Sequence, residues 1–377
     1  QDLDNFAFAR DVVIVVAAGN SRAGVIPSPP YPRHFTDAQW ALGTWPRSFN
    51  SLTCGSFVEW PRDGVAMDVG APSPFTKVGW GLCDSPKPDL SENGGNGDEA
   101  YQFKPGLGVW GTSAAGNWED HSGTSFAAPL LARQAAFALQ RLESYCDPGT
   151  KVFAATVKAY LALSAVEPVL RPALRPLAER TLGRGRASAD WLSSARIDRA
   201  MIVWQGVLDG PKDLIRVRIP IPKQWLDSAE SPRLRIILAW DSPVNAAVED
   251  LWASRKVNAT LRTEPEGHAL HPSGSSHKTY PLIERKYDLK KLPNGVQAPK
   301  DELWLLELTY QQAAEYHPAI DFNPQQRVAF AAELYDESEQ PSSPQAALQT
   351  LPATANMTRF AIGATVVRNP VVLRNRR

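Results

Sequence analysis

The sequence predicts two consecutive architectures: an α/β unit with a parallel sheet and helices on both faces over residues 1–205, and an all-β antiparallel sandwich over 206–377. Three observations carry this division. The β-branched run Val12-Val13-Ile14-Val15-Val16 shows no apolar–polar alternation, as expected of a parallel strand covered on both faces. Apolar runs and helical patterns alternate through the first half. After about residue 206 short strand patterns follow one another between turn residues, with no long helix among them.

Taken in order, residues 2–9 read as the end of an amphipathic helix with Leu3, Phe6 and Phe8 on its apolar side. The 12–16 strand ends in the turn Ala17-Ala18-Gly19-Asn20. Residues 21–50, rich in Pro, Gly and Ser, read as surface loop, and 51–56 as a second short buried strand. Residues 84–108 read as another loop, with Lys104-Pro105-Gly106 before the next structured stretch. Gly123-Thr124-Ser125 then opens a helix. Its positions Phe126, Leu130, Phe137 and Leu139 alternate with alanines and predict burial on most sides. Pro129 lies near its start, where a missing N–H is tolerated. Further helices are expected over 156–166 and 189–201. Strands are expected over 214–219, 234–240, 257–262, 303–310, 327–335 and 359–367, and a flexible loop over 337–345. Within Ala239-Trp240-Asp241-Ser242-Pro243, Trp240 reads as core and Asp241 as a cap.

Composition narrows the function classes. A chain of 377 residues with 43% hydrophobic residues has room for roughly two domains, each with its own core. The formal net charge of +0 gives no electrostatic reason for nucleic acid or an anionic membrane as the main partner. The basic run 368–377 reads as a solvated tail. No apolar run approaches the roughly 18 residues of a membrane span. Cys54, Cys83 and Cys146 are odd in number and widely spaced, which points to a reducing compartment such as the cytoplasm or to inert buried thiols. No CxxC spacing offers a zinc site. Asp84, Asp89, Glu92, Asp98 and Glu99, with Asn93 and Asn96, supply the oxygen ligands calcium prefers. Their spacing matches no fixed calcium loop, so they read as solvated loop charge, and no cofactor is required.

The chemistry concentrates in Gly123-Thr124-Ser125-Phe126-Ala127-Ala128-Pro129. A serine at a tight turn feeding a helix sits beside unsatisfied backbone N–H groups and the positive end of the helix dipole. Those N–H groups can stabilise the oxyanion of a tetrahedral intermediate, and Gly123 leaves room for a substrate backbone. The bland alternatives are that Ser125 is only an N-cap and that Asn20 is only a turn residue with positive φ.

The longer string, Gly-Thr-Ser, one residue, Ala-Ala-Pro, resembles the serine motif of the subtilisin-like serine peptidases, and the family's second landmark, a buried strand ending in Ala17-Ala18-Gly19-Asn20, precedes it in the right order. The resemblance implies that Ser125 is the nucleophile and that Asn20 donates its side-chain amide to the oxyanion. Loss of such a donor costs about 3–4 kcal/mol in a subtilisin, a value carried over from that enzyme. It further implies that Ala17, Ala18 and Gly19 wall a roomy apolar pocket for the residue before the scissile bond, with Gly123 and Thr124 beside the substrate. Residues 50–55, 91–106, 109–113 (a short strand before the serine turn) and Gly183-Arg184-Gly185 resemble other stretches of the family, so the likeness covers about 1–205. The spacing from Asn20 to Ser125 implies inserted loops around 21–50 and 73–103.

The departures are as informative. The family places its catalytic Asp and His upstream of the Asn, but only 19 residues precede Asn20, none of them His, and Asp2, Asp4 and Asp11 lack the expected strand context. A serine hydroxyl is a poor nucleophile without an adjacent base. His121, four residues before Ser125, reads as a loop residue that no third group holds; His34, His268, His271, His277 and His317 read as loop, surface or turn residues. The expectation is therefore that an N-terminal subtilase fragment carrying Asp and His completes the sheet and the triad, and that these 377 residues alone do not fold stably. Three readings follow: an endopeptidase acting on polypeptide substrates, a catalytically inactive pseudo-peptidase serving as a binding or scaffolding module, and a peptidase regulated in a complex with a separate ATPase partner.

Overall fold

In the computed structural model the described residues are 2–21, 29–60, 64–82, 85–98, 100, 102–146, 148–166, 168–189, 199–210, 213–244, 255–263, 267–272, 280–292, 296–300, 302–312, 325–344, 357–359 and 364–367. The chain divides into two compact units, Gln1–Phe137 with Ser164–Ser188, and Ala138–Leu163 with Ala189–Arg377.

The first unit begins with α1 (Asp2–Arg10) and β1 (Val15–Ala17). Only these last residues of the β-branched run pair as strand; Val12 is exposed and β1 itself is half-buried. The strand covered on both faces is instead β2 (Leu52–Phe57), in which every residue is buried. β3 (Gly79–Trp80) and β4 (Pro86–Lys87) form a small hairpin, and β5 (Leu90–Asn93) completes a three-stranded parallel sheet in the order β1-β2-β5. β6 (Val109–Thr112) and β7 (Trp118–His121) form an antiparallel hairpin where one short strand was expected. Then come α2 (Thr124–Ser144), whose residues up to Phe137 belong to this unit, and α4 (Ala178–Leu182); α3 (Ala154–Ser164) belongs, but for Ser164, to the second unit.

Several sequence expectations change here, each because polar groups find tertiary partners that no local pattern reveals. On α1 the buried residues are Asp4 and Ala7, while Phe6 is exposed. Asp4 turns inward because its carboxylate accepts from Ser48 Oγ (2.5 Å) and Asn50 N (2.7 Å). The stretch 84–108 is not wholly loop, since β5 lies fully buried within it. Asp89 and Glu92 are likewise not solvated. Asp89 is buried against Lys87 (2.6 Å) and accepts from Thr53 N (2.6 Å). Glu92 is buried with Arg186 Nε 3.3 Å away. Asp84 and Glu99 lie outside the described residues.

The 29–50 stretch carries three 3-10 turns, Arg33–Thr36, Ala38–Trp40 and Trp45–Arg47, and a small core of its own from Phe35, Trp40 and Val78. His34 is buried within it, not loop surface. On α2 the buried stripe is Ala127, Leu131, Ala135, Ala138 and Leu142, a single face at helical spacing. Phe137 is 48% exposed, so the helix is amphipathic and not covered on most sides.

The second unit is a β-sandwich. It consists of β8 (Arg199–Leu208), β9 (Leu214–Pro220), α5 (Lys223–Ser228), β10 (Pro232–Trp240), β11 (Arg255–Arg262), β12 (Ala269–Leu270), β13 (Leu282–Asp288), β14 (Leu303–Gln312), β15 (Gln326–Asp336), β16 (Met357–Arg359) and β17 (Ala364–Val367). A six-stranded sheet runs β13-β10-β15-β8-β17-β16 and a four-stranded sheet β12-β11-β14-β9. All their pairings are antiparallel except β17 with β8. The inner faces close on Trp204, Trp240, Trp304 and Phe330, with Trp225 of α5 beneath. Residues 199–201, expected at the end of a helix, are the first of β8; 190–198 lie outside the described residues. The expected 359–367 strand is two short strands, and β13 was not anticipated.

Residues 337–344 are pinned at their start, where flexibility was expected. Asp336 accepts from the backbone N–H groups of Ser231 (2.9 Å) and Ser342 (3.1 Å) and from Ser342 Oγ (3.0 Å). Burial works to raise its pKa, but these donated hydrogen bonds prevail and hold the carboxyl at about 2. Trp240 is core as expected. Asp241 is no cap: it is buried and ion-paired with Lys158 of α3. Cys54 and Cys146 are free thiols, Cys54 fully buried in β2; Cys83, His277, His317 and 368–377 lie outside the described residues. Among the described residues no helix is long and apolar enough to cross a membrane.

Candidate active site

The site is built at the carboxyl ends of parallel strands, where open α/β sheets place their ligands. β1 runs out through Ala18 and Gly19 to Asn20, and Gly19 takes the left-handed conformation (φ +96°). The positive φ thus belongs to Gly19, so Asn20 is not the left-handed turn residue. Lys77 N donates to Gly19 O (2.9 Å) and Ser21 N to Phe75 O (2.8 Å), so the 75–77 segment holds the strand exit in place.

The serine turn is seated on the neighbouring strand end. Gly123 N donates to Gly94 O (2.8 Å), just past β5. A Cβ on Gly94 would collide with Ser56 Oγ and Gly123 O, so glycine is what lets the turn approach. Thr124 starts α2, and Ser125 is its second residue and exposed. Ser125 therefore sits inside the helix and is not its N-cap.

Strand exit and helix entrance interlock directly. Asn20 Oδ1 accepts from Thr124 N (2.9 Å) and Thr124 Oγ1 (3.1 Å), and Thr124 Oγ1 accepts from Gly19 N (3.1 Å). With its oxygen engaged, the carboxamide is fixed in orientation. A Cβ on Gly123 would come within 3.2 Å of Asn20 Nδ2, which places the amide nitrogen beside the residue two before Ser125. The arrangement presents side-chain and backbone donors at one helix N-terminus, where negative charge is favoured.

The other sequence-selected residues divide. Ala17 and Gly19 are half-open. Ala18 is fully buried, so its methyl packs inward and does not line a cleft. His121 is the last residue of β7 and not a loop residue, and a third group does stand near it. Its ring stacks on Phe126 (5.4 Å between centroids, 9° between planes), and its Nε2 lies 3.5 Å from Glu119 Oε2. Both side chains are nearly half exposed, at 42% and 47%, as in a surface pair of little energy. His34 is remote in role as well as in sequence. Its Nε2 meets Pro74 O at 2.9 Å, and burial pushes its pKa down to about 4, which keeps the ring neutral. His268 and His271 are exposed, as expected. Burial also pushes the Cys54 thiol well up, away from nucleophilic use. Among the described residues no group of three or more His, Cys, Asp or Glu is placed to hold a metal ion.

Sequence reasoning missed Gly94 and the 75–77 segment. Neither has a local signature, since each acts by where the sheet puts it.

A family model described as "Subtilase family" (Peptidase_S8) matches residues 1–189. A curated relative, "Uncharacterized protein y4bN" of Sinorhizobium fredii (strain NBRC 101917 / NGR234), is 27% identical over 352 residues, covering 84% of this chain and 79% of that protein. Among solved structures, the self-cleaved protease domain of PatA is similar at 21% identity and a TM-score of 0.31, over 49% of this chain and 50% of that one. The prenylagaramide maturation protease PagA is similar at 20% identity and a TM-score of 0.33, over 49% and 51%. The epidermin leader peptide processing protease EpiP of Staphylococcus aureus is similar at 17% identity and a TM-score of 0.31, over 49% and 41%. The chain thus spans about half the length, or less, of these solved proteases.

Proposed function

The chain belongs to the subtilase family, and from that premise we propose that it is the nucleophile-bearing part of a serine endopeptidase. Ser125 attacks the peptide carbonyl and forms an acyl-enzyme. The oxyanion is held by Asn20 Nδ2 and the Ser125 backbone N–H, while a His and an Asp from outside these residues act as base and orienter. Water then hydrolyses the acyl-enzyme and regenerates the hydroxyl.

The observation that carries this reading is the clamp of Asn20 Oδ1 on Thr124 N at 2.9 Å. It ties the Asn20 turn to the helix entrance 104 residues further on, and this supports the reading that both turns serve one oxyanion. A scaffold without chemistry has no use for an oriented carboxamide next to an exposed serine. The half-open Ala17 and Gly19 leave room for an apolar side chain before the scissile bond. Cys54, a thiol buried in β2 and outside any disulfide, fits a reducing, cytoplasmic setting. An N-terminal subtilase fragment supplies the remaining triad members, and the ATPase partner stays attached to this reading as a regulator.

The test is hydrolysis of a chromogenic peptide library by the full-length protein. Activity that disappears in Ser125→Ala supports the proposal. Full activity in Ser125→Ala refutes it, and no activity in the wild type favours the pseudo-peptidase.

A further inference from the structure

The first unit contains a cavity that the peptidase reading does not use. It has a volume of about 270 Å³ and lies between the 35–47 turns, the 78–80 segment and α4. Much of its wall is apolar: Phe35, Leu42, Val78 and Trp80. Two guanidiniums, Arg47 and Arg180, stand in the same wall. Among the described residues neither side chain has a hydrogen-bond or ion-pair partner, and Arg180 Nε is buried with no acceptor. Among the described residues the single acid of the lining is Asp37, whose Oδ1 accepts from Gln39 N (2.9 Å). The wall therefore carries two cations against one anion.

A buried N–H without an acceptor is destabilising, so an oxygen delivered to Arg180 gains more than one delivered to a solvated arginine. Guanidinium groups match the planar two-oxygen face of a carboxylate and bind it in fork geometry. Trp80 is 39% exposed, and its indole calls for an apolar body attached to that carboxylate, over a floor closed by the buried Phe35, Leu42 and Val78. A small hydrated anion such as phosphate would leave the indole uncovered. The volume falls below the usual range of roughly 300–1,000 Å³ for drug-sized ligands, which limits the occupant to about one residue.

We propose that this cavity binds the terminal carboxylate of a polypeptide ending in an apolar or aromatic residue, with Arg180 and Arg47 on the carboxylate and Trp80 on the side chain. The segment that supplies Val78, Gly79 and Trp80 continues directly from Lys77, which pairs with Gly19. The inference does not depend on Ser125 acting as a nucleophile.

The test uses full-length protein carrying Ser125→Ala, so that peptidase activity plays no part in the readout. N-acetyl-L-phenylalanine, its amide and inorganic phosphate are titrated by calorimetry. The carboxylate is expected to bind at least 10-fold more tightly than the amide and than phosphate. Arg180→Gln is expected to weaken the carboxylate at least 10-fold with an unchanged melting temperature. Arg47→Gln, at an exposed position, gives the same reading should Arg180→Gln fail to fold. Equal affinity for acid and amide overturns the proposal, as does phosphate binding as tightly as the acid. So does a folded arginine variant that binds like the parent.

Discussion

The two units reach stability by different means. In the sandwich, strands of up to 11 residues pair over long registers, and the inner faces meet in an apolar core holding Trp204, Trp240 and Trp304. In the unit that carries Ser125, the parallel strands have 3, 6 and 4 residues. They are held by buried polar contacts: Asp4 with Ser48 and Asn50, Lys87 with Asp89, Ser56 with Ser73, and His34 with Pro74. Long strands around a large apolar core make a body in which ion pairs of buried acids, Asp241 with Lys158 and Glu333 with Arg199, add to an apolar packing that already closes both sheets. Short strands with interlocked loops make a body in which one lost partner strands another, and that is the body on which converging donors are mounted.

The largest expected effect probes the apolar side of this contrast. Trp304→Ala opens a large hole between the sheets and should cost about 3–5 kcal/mol. Unfolding followed by a fluorophore on the sandwich should show it, with the melting of the Ser125 unit little changed. A loss spread equally over both units would break the contrast.

The polar side is tested by Asp89→Asn, which leaves the Lys87 ammonium buried without its counter-charge. Removing one partner of a buried pair costs on the order of 3 kcal/mol. The loss should fall on the parallel sheet, where Asp89 also receives Thr53 N. Hydrogen exchange of the β2 amides is the sensitive readout, and unchanged protection would show that the pair is dispensable.

Acid should separate the units in order. His34 has its folded pKa depressed by burial to about 4 against an ordinary value of 6.5, so the unfolded chain takes up the proton first as pH falls. Stability from its burial is complete above pH 6.5 and declines as pH drops towards 4, by roughly 2–3 kcal/mol. Asp336 also has a depressed pKa, about 2 against 3.8, so its contribution to the sandwich is intact above pH 3.8 and fades only below that. The Ser125 unit should therefore weaken first on acidification, and His34→Gln should flatten its pH 4–6.5 limb. Simultaneous loss in wild type and variant would remove His34 from the account.

The same contrast explains what the sequence made legible. Strands such as 234–240 and 327–335 were readable because each is a short apolar run bounded by turn residues, and both lie almost wholly buried in the sandwich. The Gly-Thr-Ser and Ala-Ala-Gly-Asn motifs were readable because their residue types are dictated by chemistry at a turn. β5 was read as loop because its Ser91, Glu92 and Asn93 are buried through partners supplied far along the chain, Leu182 and Arg186 among them. The inward turn of Asp4, the core beneath His34 and the pairing of Asp241 with Lys158 were hidden for the same reason. β8 was partly taken for a helix because its apolar run, covered on both faces, shows no period-2 alternation.

If Asn20 and the Ser125 turn share one oxyanion, fluorophosphonate labelling of the full-length protein, with the adduct located by peptide mass mapping, gives a single adduct on Ser125, and labelling is slowed by about 10²–10³ in Asn20→Ala at unchanged melting temperature, as for loss of one oxyanion donor in a subtilisin. An adduct elsewhere, or Asn20→Ala labelling at the wild-type rate, would contradict that sharing.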